Sequence, residues 1–418
     1  MPKKLAVFCD GTWNDLRKDI PTNVVRLAKC VAEHSEDGDQ QVVYYDSGVG
    51  VAANIGWLAD KYTKYFGGAL GRGLDQKIED AYRFLVLNFE PDDEIYVFGF
   101  SRGAYTARSL CGLIRKCGIM RRAFFNFVPQ ALQRYRDRAV HPSSPEMVQF
   151  RANYAHQLAT GTEEYERRGI EERPAGTLLE ARRRADIYQY RPHEVYRMMF
   201  VGIWDTVGAL GVPKRYDWLH LNRRYKFHDT SASNLLASLR HAIAANEQRG
   251  LYDVTPFDNI DRLNIEWAAK TGWNVSDDGH ALFAPYPDRP YQQRWFPGDH
   301  CSVGGGYAET GLSSDALLWI AEGATWAGLK FTDDPANELG EAARRVSPFA
   351  PLGDKGRATL PSGDMRARGP ANIDEVSDPL YRRWDGADEY RPPNLHVLRD
   401  APMPRLPSPK LPPGFPPR

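Results

Sequence analysis

The sequence predicts an α/β fold: a mostly parallel sheet with helices on both faces, carrying a helical insertion. Two observations carry that reading. Short apolar runs rich in β-formers alternate with helix-like segments along most of the chain, and from Glu94 to Leu110 a strand, a sharp turn and a helix follow one another without a break. Alternation of this kind is the mark of parallel strands joined by crossover helices. A chain of 418 residues can bury a large core, as one big domain with insertions or as two domains.

The elements follow in order. Leu5 to Cys9 reads as a first strand, stopped by Asp10-Gly11-Thr12. Val24 to Glu33 reads as helix, and Gln41 to Tyr45 as the next strand, closed by Asp46-Ser47-Gly48. Gly48 to Gly73 is glycine-rich and reads as a loop near the site. Ile78, Ala81, Tyr82, Leu85, Val86 and Phe89 recur at intervals of three and four, which predicts an amphipathic helix. From Ile119 to His193 the chain is arginine-rich and helical in tendency, with an aromatic cluster at Phe124-Phe125-Asn126-Phe127. Aromatics beside arginines suit a surface resting on anionic lipid, so residues 119–193 read as a helical insertion or lid; the alternative is that these phenylalanines simply pack on the sheet. Val195 to Trp204 resumes as a buried strand, Ser231 to Gln248 reads as helix, Tyr291 to Phe296 as a late strand, and Asp315 to Leu329 as a closing helix. Beyond about Ala350 periodicity is lost, and ten prolines lie between Pro392 and Arg418. The domain reading is therefore 1–350 for the catalytic unit and 351–418 for an irregular, Pro-rich tail of polyproline II character.

The strand–turn–helix contains Gly99-Phe100-Ser101-Arg102-Gly103, a G-x-S-x-G pattern in the context of a nucleophile elbow. The turn strains the serine backbone, and glycines two before and two after remove side chains that would collide there. The alternative is a tight turn in which Ser101 only caps the helix. A serine nucleophile needs a base to take its proton and an acid to orient that base. In such a fold the partners arrive as Ser, then Asp or Glu, then His, each from the end of a later strand. Asp205 stands at the end of the apolar run Met198 to Trp204, where a carboxylate needs a hydrogen-bond partner. Asp217, Asp229 and Asp253 compete from less well-placed loops.

The base candidate among ten histidines is His300, which follows the late strand and precedes Gly304-Gly305-Gly306. His241 reads as a mid-helix packing residue and His280 as part of a polar turn. The N–H of Arg102 is the first oxyanion donor, and Gly11 or Thr12 is the candidate for the second; the alternative at Asp10-Gly11-Thr12 is a plain Asx-type turn.

Composition narrows the rest. Lys plus Arg and Asp plus Glu number 54 each, so bulk charge does not point to nucleic acid. Five scattered cysteines without a CxxC pair suit synthesis in a reducing compartment, which places the chain in the cytoplasm when made. The apolar run at the N-terminus stops at Asp10, too soon for a signal peptide, and no window approaches the length of a membrane-spanning helix. No His/Asp/Glu cluster has metal-ligand spacing, and no cofactor is expected.

Four segments in order carry a resemblance: Phe8 to Asn14, Gly99 to Ala104, Trp204 to Gly208, and Phe296 to Tyr307. From about residue 3 to 330 the chain resembles the DUF2235 family, which looks like the catalytic domain of the Tle1-type phospholipase effectors of bacterial type VI secretion. The resemblance implies an α/β-hydrolase fold, a triad carried onto Ser101, Asp205 and His300, and hydrolysis of acyl esters on lipids. It further implies a lipid substrate reached by peripheral membrane contact, export by type VI secretion, and a secretion-apparatus or immunity protein as partner. The chain departs from the family at Asn246, where an acidic residue is common, and is too short for the extra membrane-docking regions of the larger effectors. Two rival readings stand beside this one. Cys9-Asp10-Gly11-Thr12 suggests a haloacid-dehalogenase-like phosphatase, but the position of its nucleophilic aspartate is held by Phe8, which cannot attack phosphorus. The other is a binding module that keeps the fold without the chemistry, and a hydrolase of small soluble esters is the nearer alternative.

Overall fold

Six strands form one sheet. They are β1 (Lys3–Cys9), β2 (Gln40–Asp46), β3 (Glu94–Phe100), β4 (Arg197–Trp204), β5 (Leu239–Ala244) and β6 (Tyr291–Phe296), in the order β2-β1-β3-β4-β5-β6. Every neighbouring pair is parallel. The structure is a computed structural model and describes residues 2–11, 19–48, 63–160, 164, 196–208, 231–247, 249, 252–271, 289–353 and 368–400, with backbone alone at 63–72, 268–271 and 400. The helices used below are α1 (Asn23–Cys30), α2 (Thr63–Asn88), α3 (Arg102–Cys117), α4 (Val128–Arg136), α5 (Pro145–Tyr154), α6 (Ile260–Thr271), α7 (His300–Gly304), α8 (Gly311–Trp326), α9 (Glu338–Arg345) and α10 (Asp378–Gly386).

The strands are apolar on both faces because both faces are covered. Along β1 the side chains alternate: Leu5, Val7 and Cys9 join the core under α2 and α3, while Ala6 and Phe8 join the core under α1 and α8. In β3, Ile95 and Val97 face one layer, and Tyr96, Phe98 and Phe100 the other. Phe8 and Phe98 stack at 4.5 Å across the β1–β3 register, and the α8 side is closed by a buried ion pair between Arg240 and Glu322 at 2.9 Å. Parallel register places the carboxyl ends of all six strands at one rim, where the turns after β1, β3, β4 and β6 meet.

Three expectations change. The segment Ser231 to Gln248 contains a buried strand, β5, and not a helix. Leu235, Leu239, Ala242 and Ile243 mimic helical spacing, but Leu239 to Ala244 is buried at every position and pairs with both β4 and β6. Thr63 to Gly73 belongs to α2 and not to a loop, whereas residues 49–62 lie outside the described ones. The chain beyond Ala350 is not without structure. Val376 bridges to Trp295 of β6, and Val376, Leu380, Tyr390, Leu395 and Leu398 build a third apolar cluster against Ile243 and Trp295. Residues 401–418 lie outside the described ones.

The aromatic cluster of the insertion sits at the amino ends of the strands. Phe125 lies under the Arg83 guanidinium at 4.6 Å, near the end of α2, and Arg122 pairs with Glu90, just before β3 begins. Phe124 packs on Phe127 and Tyr154. These rings pack beside α2 and α4, near the amino end of β3, whereas Ser101 follows its carboxyl end.

Candidate active site

Ser101 occupies the turn between β3 and α3 with φ 59° and ψ −121°, a left-handed backbone that a side chain adopts only under constraint. The constraint is visible. Its N–H donates to the Trp204 carbonyl at 3.1 Å, extending the β3–β4 ladder by one residue. A Cβ on Gly99 would stand 2.5 Å from the Gly103 carbonyl oxygen, and one on Gly103 would stand 2.1 Å from that of Cys9. Both glycines are therefore required by close backbone approach. The serine side chain makes no capping hydrogen bond to α3, so the capping alternative does not describe it.

Asp205 follows β4, fully buried and with φ 37°. Its N–H donates to the Ala242 carbonyl at 2.7 Å. Its two oxygens have separate partners: Oδ1 accepts from the Ala244 N–H at 3.0 Å, and Oδ2 accepts from His300 Nδ1 at 2.6 Å. A carboxylate can only accept, so His300 Nδ1 is the donor in this bond.

His300 opens the single-turn helix α7 after β6. Asp299 caps that turn: Oδ1 accepts from the Ser302 N–H and hydroxyl, both at 2.9 Å, and Oδ2 accepts from Tyr307 at 2.8 Å. Burial nonetheless pushes the Asp299 carboxyl above its ordinary range. The imidazole lies between two rings, Phe100 at 4.5 Å and Tyr252 at 4.8 Å. Phe100 immediately precedes Ser101, so this contact brings the histidine to the elbow. Gly304 is needed for the same packing, since a Cβ there would fall 2.0 Å from the Phe100 ring.

The other candidates separate cleanly. His241 is buried in β5, bonded through Nε2 to Thr206 and through Nδ1 to Gln293, while the bond to Asp205 Oδ2 is made by His300. Asp205 and not Asp253 makes the bond to His300, while Asp217, Asp229 and His280 lie outside the described residues. The Arg102 N–H lies in the first turn of α3, where amides lack an intrahelical acceptor. Gly11 is a correction: its N–H donates to Asp10 Oδ1 at 2.6 Å, while Thr22 and Tyr45 hydroxyls, each at 2.8 Å, hold Asp10 Oδ2. That amide is turned to a carboxylate and is not presented as an oxyanion donor. Thr12 lies outside the described residues.

Beside the elbow is a small cleft lined by Asp10, Asp46, Lys77, Arg102, Gly103 and Thr106. Lys77 pairs with Asp46, yet burial still holds the Asp46 carboxyl above its usual range. Among the described residues no cluster of His, Cys, Asp and Glu could hold a metal, and no helix is long and apolar enough to cross a membrane.

Against this geometry stands a family match. The catalytic-domain model of the Tle1-like type VI secretion phospholipase effectors matches residues 3–323. The chain belongs to that family. An uncharacterized protein of Saccharomyces cerevisiae is 26% identical over 438 residues, an alignment taking in 79% of this chain and 58% of the yeast protein. Of solved structures, an uncharacterized protein from Pseudomonas aeruginosa is 18% identical with TM-score 0.40, over 83% of this chain and 49% of that one. The Tle1 effector bound to the VgrG spike of the type 6 secretion system is 16% identical with TM-score 0.32, over 74% of this chain and 52% of that one. The chain thus spans about half the length of these proteins, and 58% of the yeast one.

The family match stops before residues that brace the loop bearing His300. Tyr390, beyond its end, donates at 2.7 Å to Asn246 Oδ1, which also accepts from the Gly298 N–H at 2.8 Å. The Asn246 N–H in turn donates to the Gly298 carbonyl at 2.9 Å, so the loop bearing His300 is tied to the end of β5. The side-chain carbonyl of Asn246, where the family commonly has an acidic residue, thus receives two donors and serves this tie. Sequence reasoning passed over Glu247, Arg249 and Tyr252; the signal available was a run of polar and charged residues directly after an apolar segment.

Proposed function

We propose that this Tle1-like domain is a serine hydrolase of carboxylic esters, acting on lipid or phospholipid acyl esters through an acyl-enzyme. The observation that carries the reading is the 2.6 Å bond from His300 Nδ1 to a fully buried Asp205, set beside a serine held at φ 59°. In the proposed reaction, His300 Nε2 takes the Ser101 hydroxyl proton as Oγ attacks the ester carbonyl carbon. The tetrahedral oxyanion is met by the Arg102 N–H, with Thr12 as the remaining candidate for the second donor. The carbon–oxygen bond to the leaving alcohol then breaks, and His300 returns the proton to that oxygen. Water, deprotonated by the same imidazole, releases the carboxylic acid and restores Ser101. A neutral imidazole is required in both halves, so activity falls as pH is lowered. Asp205 holds the ring and stabilises the imidazolium that forms.

The lipid assignment rests on membership of the phospholipase effector family and is extended here to this chain. The same extension supplies its setting: made in the cytoplasm, carried out by a type VI apparatus, and matched by a secretion-apparatus or immunity partner.

A fluorophosphonate probe should label wild-type protein stoichiometrically and leave Ser101→Ala unlabelled. A panel of p-nitrophenyl esters and phosphatidylglycerol vesicles should then show turnover by the wild type on both. Absence of labelling under conditions where the fold is intact would leave only the binding-module reading. Turnover of short esters without any of vesicles would confine the enzyme to small soluble esters.

The same panel tests the insertion. Phe124→Ser with Phe125→Ser removes two half-buried rings that pack beside α2 and α4, at a loss of about 1–2 kcal/mol each. Melting temperature should fall, and any loss of activity should be equal on the soluble ester and on vesicles. Selective loss on vesicles would show that these rings dock on lipid.

A further inference from the structure

Around His300 the contacts close into a ring that the triad does not use. The His300 backbone N–H donates to Glu247 Oε2 at 3.1 Å. Glu247 is buried and is gripped by Arg249 from three donors: the backbone N–H and Nε reach Oε1, both at 2.8 Å, and Nη2 reaches Oε2 at 2.7 Å. The Arg249 guanidinium stands over the Tyr252 ring with its Cζ 4.1 Å from the centroid, and the Tyr252 ring packs on the imidazole at 4.8 Å. One side chain thus fixes the backbone of His300 while the far end of the same chain of contacts fixes its ring.

We propose that Glu247 and Arg249 form a positioning pair for the general base, setting both the placement of the imidazole and the charge it feels. The inference rests on the reading of Ser101, His300 and Asp205 as a triad. Chemically, a buried ion pair beside a base that gains and loses a proton in every cycle biases that base electrostatically. Burial alone would raise the Glu247 carboxyl, but the Arg249 clamp outweighs it and holds the group below the usual carboxylate range, so Glu247 is ionised wherever the base works. The same clamp raises Arg249. Among the described residues, other titratable groups near the imidazole include Asp205 from the end of β4, Tyr252, and Asp299 and Cys301 on either side of His300, with Tyr307 bonded to Asp299. Burial pushes the Cys301 thiol up to about 12, so it stays neutral across the working range.

The pair makes a prediction with two signs. Glu247→Gln keeps an oxygen for the His300 N–H but removes a negative charge and leaves Arg249 uncompensated. The imidazolium loses support, the neutral base persists to lower pH, and the acid limb of reactivity moves down. Arg249→Gln leaves the Glu247 charge uncompensated, the imidazolium gains support, and the limb moves up. Each shift should be about half a pH unit or more.

The experiment measures the rate of Ser101 labelling by a fluorophosphonate against pH for the wild type and both variants, with melting temperatures alongside. In that reaction Oγ forms a bond to phosphorus, fluoride leaves, and the proton passes to His300. Opposite displacements of the acid limb, with kinact lowered about tenfold and KI unchanged in Glu247→Gln, are the expected result. Limbs that stay put, or that move the same way, would overturn the proposal and reduce the pair to a structural ion pair whose loss shows only in the melting temperature. Should Glu247→Gln fail to fold, the direction of the Arg249→Gln shift decides alone. Wild-type protein that is not labelled at any pH would overturn the triad reading itself, whereas a labelled wild type with stationary limbs overturns only this inference.

Discussion

Asp205→Asn is expected to lower kcat by about 10³- to 10⁴-fold while leaving the fold in place. The size of the effect follows from which atom the asparagine must present to His300. One of the donors that meet Asp205 is fixed: the Ala244 N–H is a backbone donor inside the β4–β5 junction and must meet an oxygen. In asparagine that requirement commits the amide oxygen to Ala244, and the NH₂ is left facing His300 Nδ1. Two donors cannot share one hydrogen bond, so Nδ1 must become the acceptor and the imidazole proton must move to Nε2. An Nε2 that carries a proton cannot take one from Ser101. Shape and packing hardly change, because asparagine has the volume of aspartate and both hydrogen bonds survive. Circular dichroism and melting should therefore resemble wild type while turnover of a p-nitrophenyl ester falls. Because the three groups act as a unit, adding Ser101→Ala to Asp205→Asn should cost little beyond the larger single effect. Near-normal kcat in a well-folded Asp205→Asn protein would show that the Asp205–His300 bond does not set the tautomer, and the acyl-enzyme mechanism would need a different base.

Much of this site was legible because its parts obey local rules. Gly99 and Gly103 had to be glycine for the elbow to form, and they are the residues at which a Cβ meets backbone oxygen. Asp205 could be singled out because a carboxylate at the end of so apolar a strand needs a donor, and each of its oxygens meets one. His300 could be singled out by its place after β6. What failed depends on tertiary partners. Leu239 to Ala244 lies buried between β4 and β6, and a strand buried on both faces need not alternate, so spacings of three and four there carried no information about helix. Gly11 sits in a turn whose direction is set by Asp10, and Asp10 is set by Thr22 and Tyr45 from elsewhere in the chain. The segment around Tyr390 has no periodicity of its own; its apolar residues are spaced to fit Ile243 and Trp295, which only the folded sheet brings together. The Glu247–Arg249 pair reads as surface charge until its burial is known.

Gly103→Ala is expected to destroy both reactivity and part of the stability, a combination that separates it from the triad variants. The added methyl would stand 2.1 Å from the Cys9 carbonyl oxygen and 2.6 Å from that of Asp10. Neither neighbour is the free end of a side chain. Cys9 is the last residue of β1, paired to both β2 and β3, and Asp10 is tied through its carboxylate to Thr22 and Tyr45. The strand end cannot retreat, so the first turn of α3 must, by about an ångström to reach ordinary contact. Moving that turn releases the close approach of Gly99 to the Gly103 carbonyl, which is what holds Ser101 at positive φ. Overpacking against fixed backbone costs about 1–3 kcal/mol or more, and the helix that moves is the one covering Ile95 and Val97. The expected result is a melting temperature several degrees lower together with loss of fluorophosphonate labelling, even at temperatures where the variant remains folded. The paired measurement matters because loss of labelling alone could reflect unfolding, and a lower melting temperature alone could reflect strain remote from the serine. A variant that melts as the wild type does and labels at the wild-type rate would show that α3 does not press on the end of β1, and that the strain at Ser101 has another source.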